Sequence, residues 1–339
     1  MDRAWKWIAG TIVGLALLLA IAITATVGWR PFLGPRARPL TARRFEATPE
    51  RLKRGQYIAT ALSGCLYCHT PHDWKTLGEP MTAGMEGAGE VLPYSDLPGR
   101  VVAPNITPDK ETGAGSWTDD ELPRAIREGI GHDGRALFPL MPYVQYRRMS
   151  DEDVASVIVY LRSLPAVRQS LPQTEIIFPV KYLIRSVPQP LTTPVTYDDL
   201  EPKDQVRRGE RLVHLAGCID CHTPAKQGQP IAGLDWGGGF GFPGPWGFVA
   251  SANITPDPSG IPFYDEALFL EVMRTGSVKA RKLSSIMPVM VYRNLNDDDL
   301  KAMFAFLRTV KPVKHRVDNS ASPTACKVCG LKHGGGEEN

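Results

Sequence analysis

The chain has 339 residues, too many for one small domain and suited to two domains of ordinary size with attachments. Its 43% hydrophobic residues support a packed core, while 32 glycines and 30 prolines imply a loop-rich, mainly α fold with little sheet. Lysine and arginine (39) nearly balance aspartate and glutamate (36), leaving a net charge of +3 with the signs interspersed; a nucleic-acid partner, which needs a clustered basic face, is not expected.

From Trp7 to Trp29 the chain carries 23 residues without a charge. As a helix this stretch is about 35 Å long, enough to cross a bilayer core of about 30 Å. A tryptophan at each end suits the interfacial aromatic belt. Residues 7–29 are therefore read as a transmembrane anchor. A cleaved signal peptide is the rival reading, with Ala20-Ile21-Ala22 as its cleavage box, but the run exceeds the usual apolar core of about 7–15 residues. Arg30, Arg36, Arg38, Arg43 and Arg44 follow the span and only Arg3 and Lys6 precede it. A positive-inside count alone would thus put the following residues in the cytoplasm, although long domains translocate largely regardless of such charges.

The next unit, residues 46–165, contains Cys65-Leu66-Tyr67-Cys68-His69, and a second copy of this pattern occurs at Cys218-Ile219-Asp220-Cys221-His222. C-x-x-C-H reads as a site of covalent c-type haem attachment. Two cysteines three apart on a helical turn can reach both vinyl groups of one porphyrin, and the adjacent histidine then supplies the proximal nitrogen to iron. The expected cofactors are two covalently bound haem c groups, held at Cys65, Cys68 and His69 and at Cys218, Cys221 and His222. Attachment requires export, which places the protein at a bacterial inner (cytoplasmic) membrane with its haem units facing the periplasm.

Both motifs belong to an internal repeat. Arg54-Gly55 recurs as Arg208-Gly209, Thr70-Pro71 as Thr223-Pro224, and Asn105-Ile106-Thr107-Pro108-Asp109 as Asn253-Ile254-Thr255-Pro256-Asp257. Met141-Pro142 matches Met287-Pro288, and Tyr146-Arg147 matches Tyr292-Arg293. Each repeat closes in a predicted helix. Ser150 caps the first, with Asp153 placed to bond back, and Val154, Val157, Ile158 and Leu161 form its apolar stripe before Pro165. Asn296 caps the second, with Asp299 placed likewise and Leu300, Met303, Phe304 and Leu307 as its stripe.

The distal iron ligand is expected to be methionine, whose thioether favours reduced iron. Recurrence selects Met141 over Met81, Met85 and Met149, and Met287 over Met273, Met290 and Met303. His72, His132 and His214 are read as surface or core histidines. Asn105 and Asn253 either donate to a haem propionate or build capped turns, and Arg127 and Arg274 either neutralise propionates or serve the surface.

Between the repeats, residues 166–202 form a proline-rich connector, read as an extended strap in which Tyr182-Leu183-Ile184 packs against a domain. The second unit spans 203–314. Its Gly237–Pro243 stretch lacks the lysine and context of a phosphate loop and reads as a cover over a haem edge or partner surface. Residues 315–339 are expected to be a flexible tail. There Cys326 and Cys329 lack a following histidine, so a local disulfide or free dithiol is the simplest expectation; with His315 and His333 a metal site is possible in principle, and an unusual covalent haem is the third option.

On CLYCHTP, CIDCHTP, the two Asn-Ile-Thr-Pro-Asp loops and the two Met-Pro segments, residues 46–314 resemble diheme class I cytochromes c. The chain is similar to membrane-associated cytochrome subunits of periplasmic alcohol, aldehyde or sugar-acid dehydrogenases. That resemblance implies two tandem cytochrome c domains after the N-terminal transmembrane helix, three helices around each haem, and electron flow from a dehydrogenase towards quinone or a terminal oxidase. The expected partners are thus a dehydrogenase subunit, an oxidase or a quinol-oxidising complex, together with the membrane. The expected role is electron carriage with no catalytic residue; the alternative is a diheme enzyme, such as a peroxidase, with one open iron.

Overall fold

The computed structural model describes residues 2–339 except 75, 77, 78, 95, 197–203 and 245. The expected junction between connector and second unit, residues 202 and 203, lies outside the described residues. Helix α1 (Asp2–Thr26) leads the chain. Its stretch Ala4–Thr26 contains an 18-residue window of mean hydropathy 2.5 that is not buried by the rest of the protein, and it is long and apolar enough to cross a membrane. The helix ends three residues before the boundary expected at Trp29. Gly28 adopts φ 69° and donates its N–H to Ile23 O at 2.7 Å, which turns the chain. Trp29 then folds back, its Nε1 donating to Thr24 Oγ1 at 3.0 Å.

Besides helices of a single turn, three longer helices follow among the described residues of the first stretch, α2 (Pro49–Tyr57), α3 (Glu121–Glu128) and α4 (Asp151–Ser163), and three in the second, α5 (Gln205–Leu215), α6 (Glu266–Thr275) and α7 (Asp297–Leu307). The caps are those the sequence announces. Ser150 Oγ accepts from Asp153 N at 2.9 Å, and Asn296 Oδ1 accepts from Asp299 N at 2.8 Å. The return bond expected of Asp153 goes elsewhere: its carboxylate takes Arg54 at 2.8 Å, as Asp299 takes Arg208 at 2.5 Å. Aspartate is one methylene short of the glutamate that normally closes a capping box, and in each case an arginine from the crossing helix lies within reach.

In each stretch the first helix crosses the last, α2 over α4 and α5 over α7. A Cβ on Gly55 would lie 1.9 Å from Ser156 O, and one on Gly209 would lie 1.8 Å from Ala302 O. The repeated Arg-Gly therefore marks a backbone contact flanked by an ion pair. Beneath it the two predicted stripes are buried, with Val154, Val157, Ile158, Leu300 and Met303 at 1% exposure or less. Gly55 to Gly64 spans one position more than Gly209 to Gly217. The extra residue is absorbed by a π-turn at Ile58–Leu62, where α5 runs on as ordinary α-helix.

The β structure among the described residues consists of two-stranded antiparallel ribbons. One pairs Gly99–Arg100 with Glu175–Ile176 and so laces the connector to the first stretch. The connector is not extended throughout. Val180–Leu183 and Ile184–Ser186 make helical turns, permitted because the preceding Pro179 stands at the start, where no intrahelical N–H is needed. Arg185 donates to Pro31 O at 3.1 Å, so this apolar segment packs on the turn Arg30–Leu33 after α1, and Ile184 also lines the cavity beside Cys65 and His69. The tail is also not loose. Pro323–Ala325 pairs with Lys332–Gly334 in a hairpin, and the tail's two histidines and two cysteines are buried.

Candidate functional site

Each C-x-x-C-H motif starts from a glycine in the left-handed region, Gly64 at φ 58° and Gly217 at φ 69°. A side chain there would be strained, so glycine sets the direction of the one-turn helices Cys65–Cys68 and Cys218–His222. The histidines are then fixed by long-range bonds. His69 Nδ1 donates to Pro104 O at 2.7 Å, and His222 Nδ1 donates to Ala252 O at 2.7 Å. A carbonyl can only accept, so both rings carry hydrogen on Nδ1 and present the Nε2 lone pair. Burial lowers the pKa of both histidines, outweighing the opposite pull of those carbonyls, and keeps the rings neutral.

The same frame recurs around the motifs. Thr70 Oγ1 accepts from Gly87 N at 3.1 Å, and Thr223 Oγ1 accepts from Trp236 N at 3.0 Å. Gly89 N donates to His69 O at 2.7 Å, and Gly238 N donates to His222 O at 2.8 Å. Gly237–Gly239 thus run buried beneath the second motif and support it from within, while Phe240, Gly241 and Phe242 are half-buried and Pro243 is exposed.

A cavity of about 1160 Å³ is lined by Cys65, Cys68, His69 and Met141. That exceeds the range of about 300–1,000 Å³ usual for small-ligand pockets and suits a large planar group. Ala216, Gly217, Asp220, Cys221, Pro288 and Tyr292 contribute to its walls, so the second motif meets the first across one space. Met287 is half-buried against the core, beside the Pro288 that reaches the cavity, and Cys218 packs there too. Burial pushes the thiols of Cys65, Cys218 and Cys221 up to about 12 and that of Cys68 up to about 11. The donor set, with one free imidazole nitrogen beside two neutral sulfurs, fits a c-type haem.

Two tyrosines, recurrent in the sequence but given no role there, close each site. Tyr146 Oη donates to Ser63 O at 2.7 Å, and Tyr292 Oη donates to Ala216 O at 2.5 Å. Each ties the segment just after the Met-Pro pair to the residue two before the first motif cysteine. Of the rival methionines, Met149, Met273 and Met303 are core residues, and Met81 and Met290 are 39% and 36% exposed.

Polar candidates divide clearly. Asn105 Oδ1 accepts from Thr107 N at 2.9 Å while its Nδ2 donates to Val167 O at 2.7 Å and Thr112 Oγ1 at 3.2 Å. Asn253 repeats this with Thr255 N at 2.9 Å and Val313 O at 2.7 Å. Both are capped turns with their donors spent, and each immediately follows the residue, Pro104 or Ala252, whose carbonyl grips a histidine. Arg127 bonds Met149 O and Asp151, and Arg274 bonds Arg293 O and Asp297. These arginines anchor the entry to the closing helices rather than reaching a propionate. His72 pairs with Glu90 at 2.7 Å, His132 lies over Trp117 with ring centres 4.4 Å apart, and His214 bonds Gln145 at 3.0 Å.

Comparison with known proteins agrees with this chemistry. The cytochrome c family model matches residues 206–311. The cytochrome c subunit of a quinone-dependent alcohol dehydrogenase from Gluconobacter oxydans is 27% identical over 79% of this chain and 56% of its own length. The fructose dehydrogenase cytochrome subunit of Gluconobacter japonicus is 30% identical over 81% of this chain and 56% of its own. A diheme cytochrome c-type protein of Cereibacter sphaeroides is 29% identical over 80% and 89% respectively. The chain thus spans about half the length of the two dehydrogenase relatives. Residues 206–311 are a cytochrome c domain, in a chain related to the cytochrome c subunits of alcohol, fructose and gluconate dehydrogenases and to a diheme cytochrome c.

Proposed function

We propose that this chain is a membrane-anchored diheme electron-transfer subunit built from two tandem cytochrome c domains, serving a dehydrogenase on the periplasmic face of a bacterial inner membrane. The observation that carries this reading is the paired fixation of His69 and His222, each through Nδ1 on a carbonyl at 2.7 Å with Nε2 left free. Cys65 and Cys68 would hold one haem c, and Cys218 and Cys221 the other. Met141 and Met287 would close the far side. Bound haem iron supplies one-electron exchange between its ferrous and ferric states.

The residues act by holding geometry. Pro104 and Ala252 fix the imidazole planes and raise their basicity through the Nδ1 hydrogen. Tyr146 and Tyr292 hold each methionine segment against its own motif. Since Cys68 and Cys221 line one cavity, electrons would pass between the two groups across it. Were His69 with Met141 and His222 with Met287 to hold the two haems, protein side chains would take the places on iron that a substrate needs, which favours carriage over a peroxidase. Helix α1 would anchor the unit, and the similarity to dehydrogenase subunits supports a dehydrogenase as electron donor.

Purified protein should carry two covalent haems per chain by mass and by haemochrome absorbance. Met141→Ala and Met287→Ala should each remove about half of the sulfur–iron absorption of the oxidised protein, and each should admit carbon monoxide to one haem. Ready carbon monoxide binding by the unaltered protein, or spectra indifferent to both substitutions, would defeat the reading.

A further inference from the structure

We propose that the C-terminal residues 315–339 fold around a structural zinc ion, ligated by His315, Cys326, Cys329 and His333. Their four ligand atoms lie within 4.8 Å of one another, and all four residues are at least 95% buried. His315 Nε2 is 3.1 Å from His333 Nε2 and 3.4 Å from Cys326 Sγ. A tetrahedral ion with bonds of about 2.0–2.1 Å to nitrogen and about 2.3 Å to sulfur requires edges of roughly 3.3 Å between nitrogens and roughly 3.5 Å between nitrogen and sulfur. The observed separations are close to those edges.

The protonation of the rings suits a bound cation. His315 Nδ1 donates to Gly237 O at 2.9 Å, and His333 Nδ1 donates to Gly334 O at 3.1 Å. Both rings therefore turn bare Nε2 lone pairs towards each other at hydrogen-bond distance with no proton between them. A cation at the centre satisfies both, and a carbonyl behind each ligating imidazole is the usual outer support of a metal site. The sulfurs are prepared in the same way. Cys329 N donates to Cys326 Sγ at 3.5 Å, and Leu331 N donates to Cys329 Sγ at 3.4 Å, so each sulfur has a backbone N–H behind it. On binding, each thiol gives up one proton, and two thiolates with Zn²⁺ make a neutral buried unit.

Rival occupants fit less well. A Cys326–Cys329 disulfide leaves the two lone pairs opposed. A covalent haem lacks its ligand, because Gly330 follows Cys329. Around the cluster, Leu234 and Val313 are the buried aliphatic residues of a small separate core, so apolar burial there is slight. Small units of this kind are normally held by a metal or disulfides. The His315, Cys326, Cys329, His333 set, with two nitrogens and two sulfurs, selects zinc among common divalent ions. The ion would staple the hairpin to the Gly237–Gly239 stretch whose next N–H, that of Gly238, holds the His222 carbonyl.

The test uses the full chain purified with its haems, without chelators, from zinc-containing medium. Elemental analysis should give about one zinc per chain, and zinc-edge X-ray absorption should show two sulfur and two nitrogen neighbours. The double substitution Cys326→Ser with Cys329→Ser should lower zinc at least tenfold while leaving covalent haem in place; should that variant fail to accumulate, the absorption spectrum of the unaltered protein decides alone. A chain without zinc, a mass two daltons below that of the dithiol under non-reducing denaturing conditions, non-haem iron in place of zinc, or a shell of oxygen and nitrogen only would overturn the proposal. None of these readouts depends on electron transfer, so the proposal stands or falls separately from the haem reading.

Discussion

The hydrogen on Nδ1 of His69 is held by a carbonyl 35 positions away, and that of His222 by one 30 positions away. The motif itself is legible because its chemistry is packed into five residues. Its support is not, because the partner belongs to a loop brought in by folding. The recurring Thr-Pro and Tyr-Arg pairs did signal a shared role, but only the geometry assigns Tyr146 and Tyr292 to the carbonyls of Ser63 and Ala216. Replacing Tyr146 by Phe leaves the carbonyl of half-buried Ser63 without this donor, at a cost of about 1 kcal/mol. Chemical denaturation should show that loss, with the midpoint falling at unchanged slope. A stability equal to that of the unaltered protein would mean that water or a shifted donor replaces the hydroxyl.

Helix pairs follow from a handful of local rules. The caps at Ser150 and Asn296, and the stripes behind them, can be read directly because they depend on neighbours three or four positions apart. The crossing point cannot, since a glycine in a helix looks merely unfavourable until a backbone carbonyl is found 1.8–1.9 Å from where its Cβ would stand. Gly209→Ala should therefore destabilise the second unit by about 1–3 kcal/mol or more, although alanine is the better helix former. Calorimetry of the unaltered and substituted chains measures this, and an unchanged or higher transition temperature would contradict the crossing. The π-turn at Ile58–Leu62 is an instance where chain arithmetic suffices: one added residue between two fixed glycines has to be absorbed by the helix. The helical turn at Val180–Leu183 runs the other way, since proline content suggested extension and the position of Pro179 permitted a turn.

Across the whole molecule, a few polar side chains join segments far apart in sequence. Arg38, one of the five arginines after α1, makes paired 2.7 Å bonds to Asp120 and reaches Glu128 at 2.8 Å, tying the segment that leaves α1 to the first unit. Its charge is thus spent on the fold. Burial raises the pKa of Asp120, but the Arg38 and Thr41 bonds outweigh it and set the carboxyl at about 2. The unfolded value is about 3.9. Stability from this carboxylate is therefore complete above pH about 4 and disappears as pH falls towards 2. The advantage in melting temperature of the unaltered chain over Asp120→Asn should shrink across that window, and an advantage independent of pH would refute the assignment. Between the units, Gln145 bonds both Asp220 and His214, and Tyr57 donates to Asp299.

By itself, the order of residues determined the two C-x-x-C-H motifs, the apolar first helix and the caps and stripes, each resting on spacings of a few positions, and the recurrence that aligns Met141 with Met287. Folding alone decided which carbonyl holds each histidine, where helices touch backbone to backbone, and that His315 meets Cys326, Cys329 and His333 in a buried cluster. Those outcomes depend on atoms tens or hundreds of positions apart, and hydrogen bonds and close contacts act over a few ångströms of space, whatever the distance along the chain.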